Sequence, residues 1–261
     1  GILNARGARQ FGYHLKDEDV ISQGLGPREG ITKGESYAFI PPSTIYSGPA
    51  VKRTIDGIDL ELIAAPGETD DTINVWFPQY GVLCSADNYY ECWPNISAIR
   101  GHQYRDVDRW IQSLQHVLEL RPVALLPGHF QPILGAENVA ERIGRYKEAI
   151  EFVLERTLQL LNQGMTPREV VAAISLPDHL ASLEYLAEFY GTIEWSVYGI
   201  FSGYIGWFDG NPTNLHPLEF QDRARRYISS MGGADCVLAL ADEAVANSEF
   251  QWALELTDFL M

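Results

Sequence analysis

The sequence predicts an α/β protein in two parts: a layered arrangement of strands and helices over residues 1–135, followed by an all-helical part over residues 136–261. Three observations carry this reading. Short runs of alternating or continuous apolar residues, bounded by turn signals, cluster between Val51 and Leu126. A single helical period interrupts them between Asp106 and Leu120. After Gly135 the apolar residues recur at spacings of three and four up to the last residue.

Each element follows in order. Residues 1–50 read as loop with short strands, because Gly24, Gly26, Pro27, Gly30, Gly34, Pro41 and Pro42 break any helical period. Strands are expected at Ile58–Ile63, Ile73–Phe77 and Gly81–Ser85. In the helix from Asp106 to Leu120, Val107, Trp110, Ile111, Leu114, Val117 and Leu118 form one apolar face. The strand Val123–Leu126 ends at Pro127-Gly128 and places His129 in the loop just after it. A long helix then runs from Asn138 to Asn162 and stops before Gly164. Thr166-Pro167-Arg168-Glu169 opens the next helix as a capping box, with proline at the first helical position. Further helices are expected at about 181–189, 193–205, 219–230 and 234–260, with Gly206–Pro217 as a turn-rich connector. The final helical pair could begin a helical repeat.

Composition narrows the function. The chain has 261 residues, 46% of them hydrophobic and 21% charged, the make-up of a packed globular protein. Its net charge of −16 repels nucleic acid and anionic membrane surfaces, so neither is an expected partner. An anionic substrate would need a locally basic pocket, which draws notice to Arg100 and Arg105. Cys84, Cys92 and Cys236 form no CxxC pair and read as buried free thiols. No apolar run approaches the roughly 20 residues needed to span a bilayer, and the chain reads as soluble. It opens on Gly1 without a basic-then-apolar leader, so any targeting segment is expected to have been removed or never present.

Three strand-end stretches collect the residues able to do chemistry: Ala65-Pro66-Gly67-Glu68-Thr69-Asp70-Asp71, Cys84-Ser85-Ala86-Asp87-Asn88 and Leu126-Pro127-Gly128-His129. Loops leaving one edge of a layered sheet converge, so the carboxylates of Glu68 and Asp87 and the imidazole of His129 could meet around a divalent cation such as zinc or manganese. The same stretches also read as ordinary turns. Asp70 and Asp71 suit solvated turn acids, and a lone histidine suits a hydrogen-bonded structural role. The residues alone leave both readings open.

A resemblance adds to them. Glu68-Thr69 after Ala-Pro-Gly, Ala86-Asp87-Asn88 leading to Asn95 and Ile99-Arg100-Gly101, Tyr190-Gly191-Thr192, the run from Tyr204 through Gly206-Trp207-Phe208-Asp209-Gly210-Asn211-Pro212, and Met231-Gly232-Gly233-Ala234-Asp235 resemble the linear alkylsulfatases of the metallo-β-lactamase superfamily. The likeness covers nearly the whole chain. It implies part of a metallo-β-lactamase-like αββα sandwich, then a helical dimerisation domain that makes a homodimer. It implies zinc, two ions in a complete protein, with Glu68 a terminal ligand of one, Asp87 the bridging carboxylate and His129 a ligand of the other. Family members commonly carry glutamate where Asp87 stands; the aspartate keeps the charge with a shorter reach. Arg100 matches the arginine that grips the sulfate oxygens, a task suited to a planar guanidinium. Arg105 could assist or be a surface charge, and His102 is a candidate proton donor. The aromatic residues Tyr190, Trp195, Tyr198, Phe201 and Tyr204 could line an alkyl channel, or form core or dimer interface.

One departure stands beside the match. The family's two histidines separated by one residue and followed by Asp-His have no counterpart among His14, His102, His116, His129, His179 and His216. The expectation is either a piece of a longer polypeptide, which hydrolyses alkyl sulfate esters to alcohol and inorganic sulfate, or a degenerate homologue without metal chemistry. A non-catalytic dimerisation scaffold and a hydrolase of another ester are the rival readings, since a fold alone does not dictate a substrate.

Overall fold

The computed structural model of the chain describes residues 2–12, 15, 16, 19 and 40–261. It divides into two compact units, Gly1–Trp207 and Phe208–Met261.

The first unit is built on a six-stranded sheet in sequential order: β1 (Ala50–Ile55), β2 (Ile58–Ala64), β3 (Ile73–Phe77), β4 (Val82–Ala86), β5 (Ala124–Pro127) and β6 (Ile133–Leu134). Neighbours run antiparallel except β4 and β5, which are parallel. A parallel pair needs a crossover, and here it contains α2 (Val107–Leu120). Asp106 starts α2 by accepting from the backbone amide of Arg109 at 3.2 Å, and Arg121, in the left-handed region at φ +52°, ends it.

The expected apolar face of α2 is buried through Val107, Trp110, Ile111, Leu114 and Val117. It packs against α3 (Ala136–Asn162), whose buried stripe includes Ile143, Tyr146, Ile150 and Val153. Leu83 and Leu125 of the central parallel pair complete this core. The long helix therefore packs in the same compact unit as the sheet, although its period first reads as the opening of the helical part. Next come α4 (Pro167–Ala173), α5 (Asp178–Ala181), a 3₁₀ turn at Glu184–Leu186 and α6 (Ile193–Tyr204). The capping box of α4 forms as expected, Thr166 Oγ1 accepting from the Glu169 amide and Glu169 Oε2 accepting from the Thr166 amide.

The second unit holds a 3₁₀ turn at Pro212–Asn214, α7 (Phe220–Ser230), α8 (Ala234–Ala246) and α9 (Phe250–Asp258). Its small core joins Val237, Ala241 and Leu256. Among the described residues no helix is long and apolar enough to cross a membrane.

Four expectations are corrected. Ile2–Gln10 is a helix, α1, rather than loop, because its nine residues precede the breakers that interrupt the later segment. What else was expected of residues 13–39 falls almost wholly outside the described residues. The single helix placed at 181–189 is instead the end of α5 at Ala181 and a separate 3₁₀ turn at Glu184–Leu186. The stretch 234–260 is two helices, parted where Ser248 adopts φ +63°. Of the three free thiols, Cys92 is buried and Cys84 half-buried, but Cys236 is exposed.

Candidate metal centre and anion site

The strand-end loops do converge. The turn after β2 is pinned by Asn88: its Nδ2 donates to Ala65 O at 2.7 Å and its Oδ1 accepts from the Glu68 amide at 3.1 Å. Trp110 Nε1 on α2 donates to Asn88 O at 3.0 Å, and Ser113 Oγ donates to Pro66 O at 2.7 Å. Gly67 is required here, since a Cβ would overlap the Asn88 amide. The result is a glutamate backbone held from two sides, with the residue only 8% exposed.

Asp87 follows β4 through Ala86, a non-glycine residue at φ +48°. Its Oδ1 lies 2.7 Å from His129 Nδ1 in the loop after β5. Phe130, next to His129, also has a left-handed backbone at φ +69°. Such conformations cost on the order of 1 kcal/mol each and persist where the surroundings impose them. Gly128 is the enabling residue, because a Cβ there would overlap Asp87 Oδ1.

The two acids meet. Glu68 lies within hydrogen-bonding reach of Asp87, and its carboxyl is pushed above the ordinary carboxylate range by burial, an effect that Arg105 opposes and Asp87 reinforces. Glu68, Asp87 and His129, expected as ligands, are thus brought together. Their donors suit a divalent cation of zinc type. Yet Asp87 pairs with His129 and Glu68 with Arg105, and among the described residues no three His, Cys, Asp or Glu side chains are grouped so as to hold an ion. The three fit as part of a metal site and need donors beyond themselves.

Arg105 is not a surface charge. It is 6% exposed, its NH2 lies 3.0 Å from Glu68 Oε1, and its NH1 donates to the backbone carbonyl of Asn95. Arg105 Nε and both amide atoms of Asn95 are buried without a protein partner, as polar groups facing a ligand or water would be.

Among the described residues, the groups that hold Arg100 are neutral. Its NH1 donates to Gln10 Oε1 and its NH2 to Tyr190 OH, each at 3.2 Å, while its guanidinium lies over the rings of Phe11 and Tyr190. Tyr190 in turn packs edge-on against Tyr90 in a small cluster with Cys92, Phe11 and Phe130. Arg100 and Phe130, the residue after His129, therefore border the same aromatic cluster, although no direct contact joins Arg100 to the acids.

His102 lines a cleft of about 510 Å³ together with Glu68, Tyr104 and Arg105. Its Nδ1 meets Gln103 O, its Nε2 is 3.4 Å from Ser97 Oγ, and partial desolvation lowers its pKa. Of the aromatic stripe, Tyr190 and Phe201 are buried, while Tyr204 reaches the cleft wall by an edge contact with Tyr104 at 6.4 Å.

Sequence reasoning missed Asn88 as the support of Glu68. The signal was Gly67, whose lack of a side chain announces a close neighbour.

The family model for alkyl sulfatase dimerisation matches residues 166–261. A linear primary-alkylsulfatase of Pseudomonas sp. is 36% identical over 99% of this chain and 49% of its own. An alkyl/aryl-sulfatase of Saccharomyces cerevisiae is 32% identical over 99% of this chain and 41% of its own. The structure of a stereoselective inverting sec-alkylsulfatase from Pseudomonas sp. superposes with a TM-score of 0.92 at 28% identity, covering 99% of this chain and 42% of that one. The chain spans about half the length, or less, of the curated relatives it matches. Over 99% of its length the chain is thus similar to part of these alkylsulfatases, and residues 166–261 match the alkyl sulfatase dimerisation family.

Proposed function

We propose that this chain supplies the acid, imidazole and arginine portion of a zinc-dependent alkylsulfatase, which hydrolyses alkyl sulfate esters to alcohol and inorganic sulfate as part of a longer chain. The observation that carries the proposal is the meeting of Glu68, Asp87 and His129, delivered by three separate strand ends, beside buried Arg105. Zinc, when bound, would polarise a water for attack on the ester.

This chain's residues have the following proposed parts. Glu68 and Asp87 would offer carboxylate oxygens and His129 a ring nitrogen to the metal. Arg100, whose partners are neutral, keeps its positive charge available for the sulfate oxygens as the ester bond breaks. Arg105 holds Glu68, and His102 is the candidate proton donor. Its lowered pKa leaves the ring neutral at neutral pH, so its donating form belongs to acid conditions. Residues 1–135 are proposed as the catalytic part and 136–261 as the dimerisation part, the latter containing the matched span 166–261.

The test compares two proteins, this chain and a version joined to a segment carrying the family's histidine signature, with dodecyl sulfate as substrate. Turnover is expected of the joined version alone. In it, Arg100→Ala should lower sulfate-ester turnover by about 100-fold or more, in the range seen on losing one charge-stabilising donor, and barely change hydrolysis of a neutral ester. Strong hydrolysis by the 261-residue chain alone contradicts the proposed need for the signature. Absence of zinc from the joined version by elemental analysis favours instead a non-catalytic dimerisation scaffold, a reading that the internally paired acids also suit. Equal loss on both substrates points to a hydrolase of another ester.

A further inference from the structure

The metal-site candidates neutralise one another in pairs, and one pair is unusual. Asp87 is matched by His129 at 2.7 Å, with both side chains about a third exposed, at 34% and 38%. Glu68 is matched by Arg105 at 3.0 Å with side chains only 10% and 6% exposed. A buried acid left without a partner is strongly destabilising, whereas an exposed pair contributes little. Arg105 is also fixed independently of Glu68, through its bond to the Asn95 carbonyl. Asn95 is itself 0% exposed, and Trp93, two residues before it, is tied to α6 by its Nε1–Ser196 Oγ bond. The guanidinium is thus part of the framework rather than a loose surface side chain.

We propose that Arg105 is a positioning residue that holds the Glu68 carboxylate in the place of a cation and thereby weakens the chain's uptake of a divalent metal at Glu68 and Asp87. Glu68 Oε1 is engaged by Arg105, and Asp87 lies beside the same carboxyl. A cation joining the two acids meets the guanidinium's positive charge at close range in a buried setting, where like charges repel more strongly than in water. It must share Glu68 with Arg105 or displace it. The fixed pair keeps the loop after β2 in its folded position without metal, and the cost is a lower affinity once metal arrives. This inference rests on the reading of Glu68, Asp87 and His129 as metal ligands.

The experiment is a zinc titration by calorimetry of the chain joined to a segment carrying the family's histidine signature, and of its Arg105→Gln, Arg105→Lys, His129→Ala and Asp87→Asn variants, with thermal unfolding followed in parallel. Arg105→Gln should bind zinc at least about ten-fold more tightly than the parent. It should unfold at lower temperature without zinc and recover with it, while Arg105→Lys, which keeps the charge, should retain the parent's affinity. His129→Ala and Asp87→Asn should weaken zinc binding in both the parent and Arg105→Gln backgrounds. If they do and Arg105→Gln binds zinc no more tightly than the parent, the role of Arg105 is overturned while the metal site stands. If neither alters zinc binding in either background, the metal reading fails and the inference with it. Should Arg105→Gln be unfolded without zinc, circular dichroism supplies the readout. Folding driven by zinc at concentrations below the parent's Kd supports the proposal, and failure of zinc to fold the variant overturns it.

Discussion

At position 128 a missing side chain matters as much as any present one. Asp87 Oδ1 occupies the space a Cβ would take, and the same carboxylate oxygen contacts His129 one residue further on. Gly128→Ala should push Asp87 and His129 apart, lower stability by about 1–3 kcal/mol as overpacking does, and weaken zinc binding; denaturant unfolding and a zinc titration check both. Asn88 plays the complementary part. It makes two side-chain bonds to the turn carrying Glu68 and receives Trp110 on its carbonyl. Asn88→Ala should cost about 1–3 kcal/mol, the penalty for leaving buried donors and acceptors unsatisfied, with no zinc-induced recovery to the parent's unfolding midpoint. That Glu68, Asp87 and His129 follow strands was legible because each comes after an apolar run ended by a turn signal. The partner of Glu68 was not. Arg105 lies between β4 and α2 in a loop without regular structure, and its contacts, to the Asn95 carbonyl and to Glu68 37 residues earlier, follow no local pattern.

Among the elements, those with strong periodicity and local signals were read from the sequence. For α2 and α3 the apolar stripe alone located the buried face, and for α4 the capping box located the first turn. The β6 strand escaped notice because two residues cannot show a period, and the α8–α9 break escaped because Asn247 and Ser248 are not strong breakers. The capping box yields a direct expectation: Thr166→Ala should lower stability by about 1 kcal/mol, measured by denaturant unfolding. A second concerns the tie between α3 and α5. Glu148 accepts from His179 Nε2 at 2.8 Å and from Arg145 NH1 at 2.8 Å, and these two bonds hold its carboxyl below the ordinary range. A carboxylate whose pKa is depressed by folding adds stability above its unfolded value of 4.5 and loses it as the pH falls through the lower folded value. The groups are 43–50% exposed, so the effect is small, roughly 0.2–1 kcal/mol. Glu148→Gln should therefore destabilise slightly at neutral pH and lose that margin progressively as the pH falls below 4.5, as read from unfolding midpoints across pH.

For the whole molecule the dominant facts are its charge and its helical end. The second unit leaves Leu238, Leu240, Val245, Phe250, Trp252 and Leu254 between 41% and 65% exposed, while its own core is small. It lies within the span matched by the dimerisation family, so the proposed homodimer would cover such residues. Two copies each carrying −16 repel one another across the solvent. Apolar burial must therefore outweigh a repulsion that salt screens, the Debye length falling from roughly 10 Å at 0.1 M to 3 Å at 1 M. Homodimerisation should accordingly tighten as salt is added, the reverse of an association driven by opposite charges. Light scattering at micromolar concentration, repeated across that salt range, is expected to show a dimer whose Kd falls with salt. Trp252→Glu should weaken the dimer at every salt concentration, since it adds charge and removes apolar surface together. A monomer throughout the range, or a dimer that salt dissociates, would rule out an apolar interface on this unit.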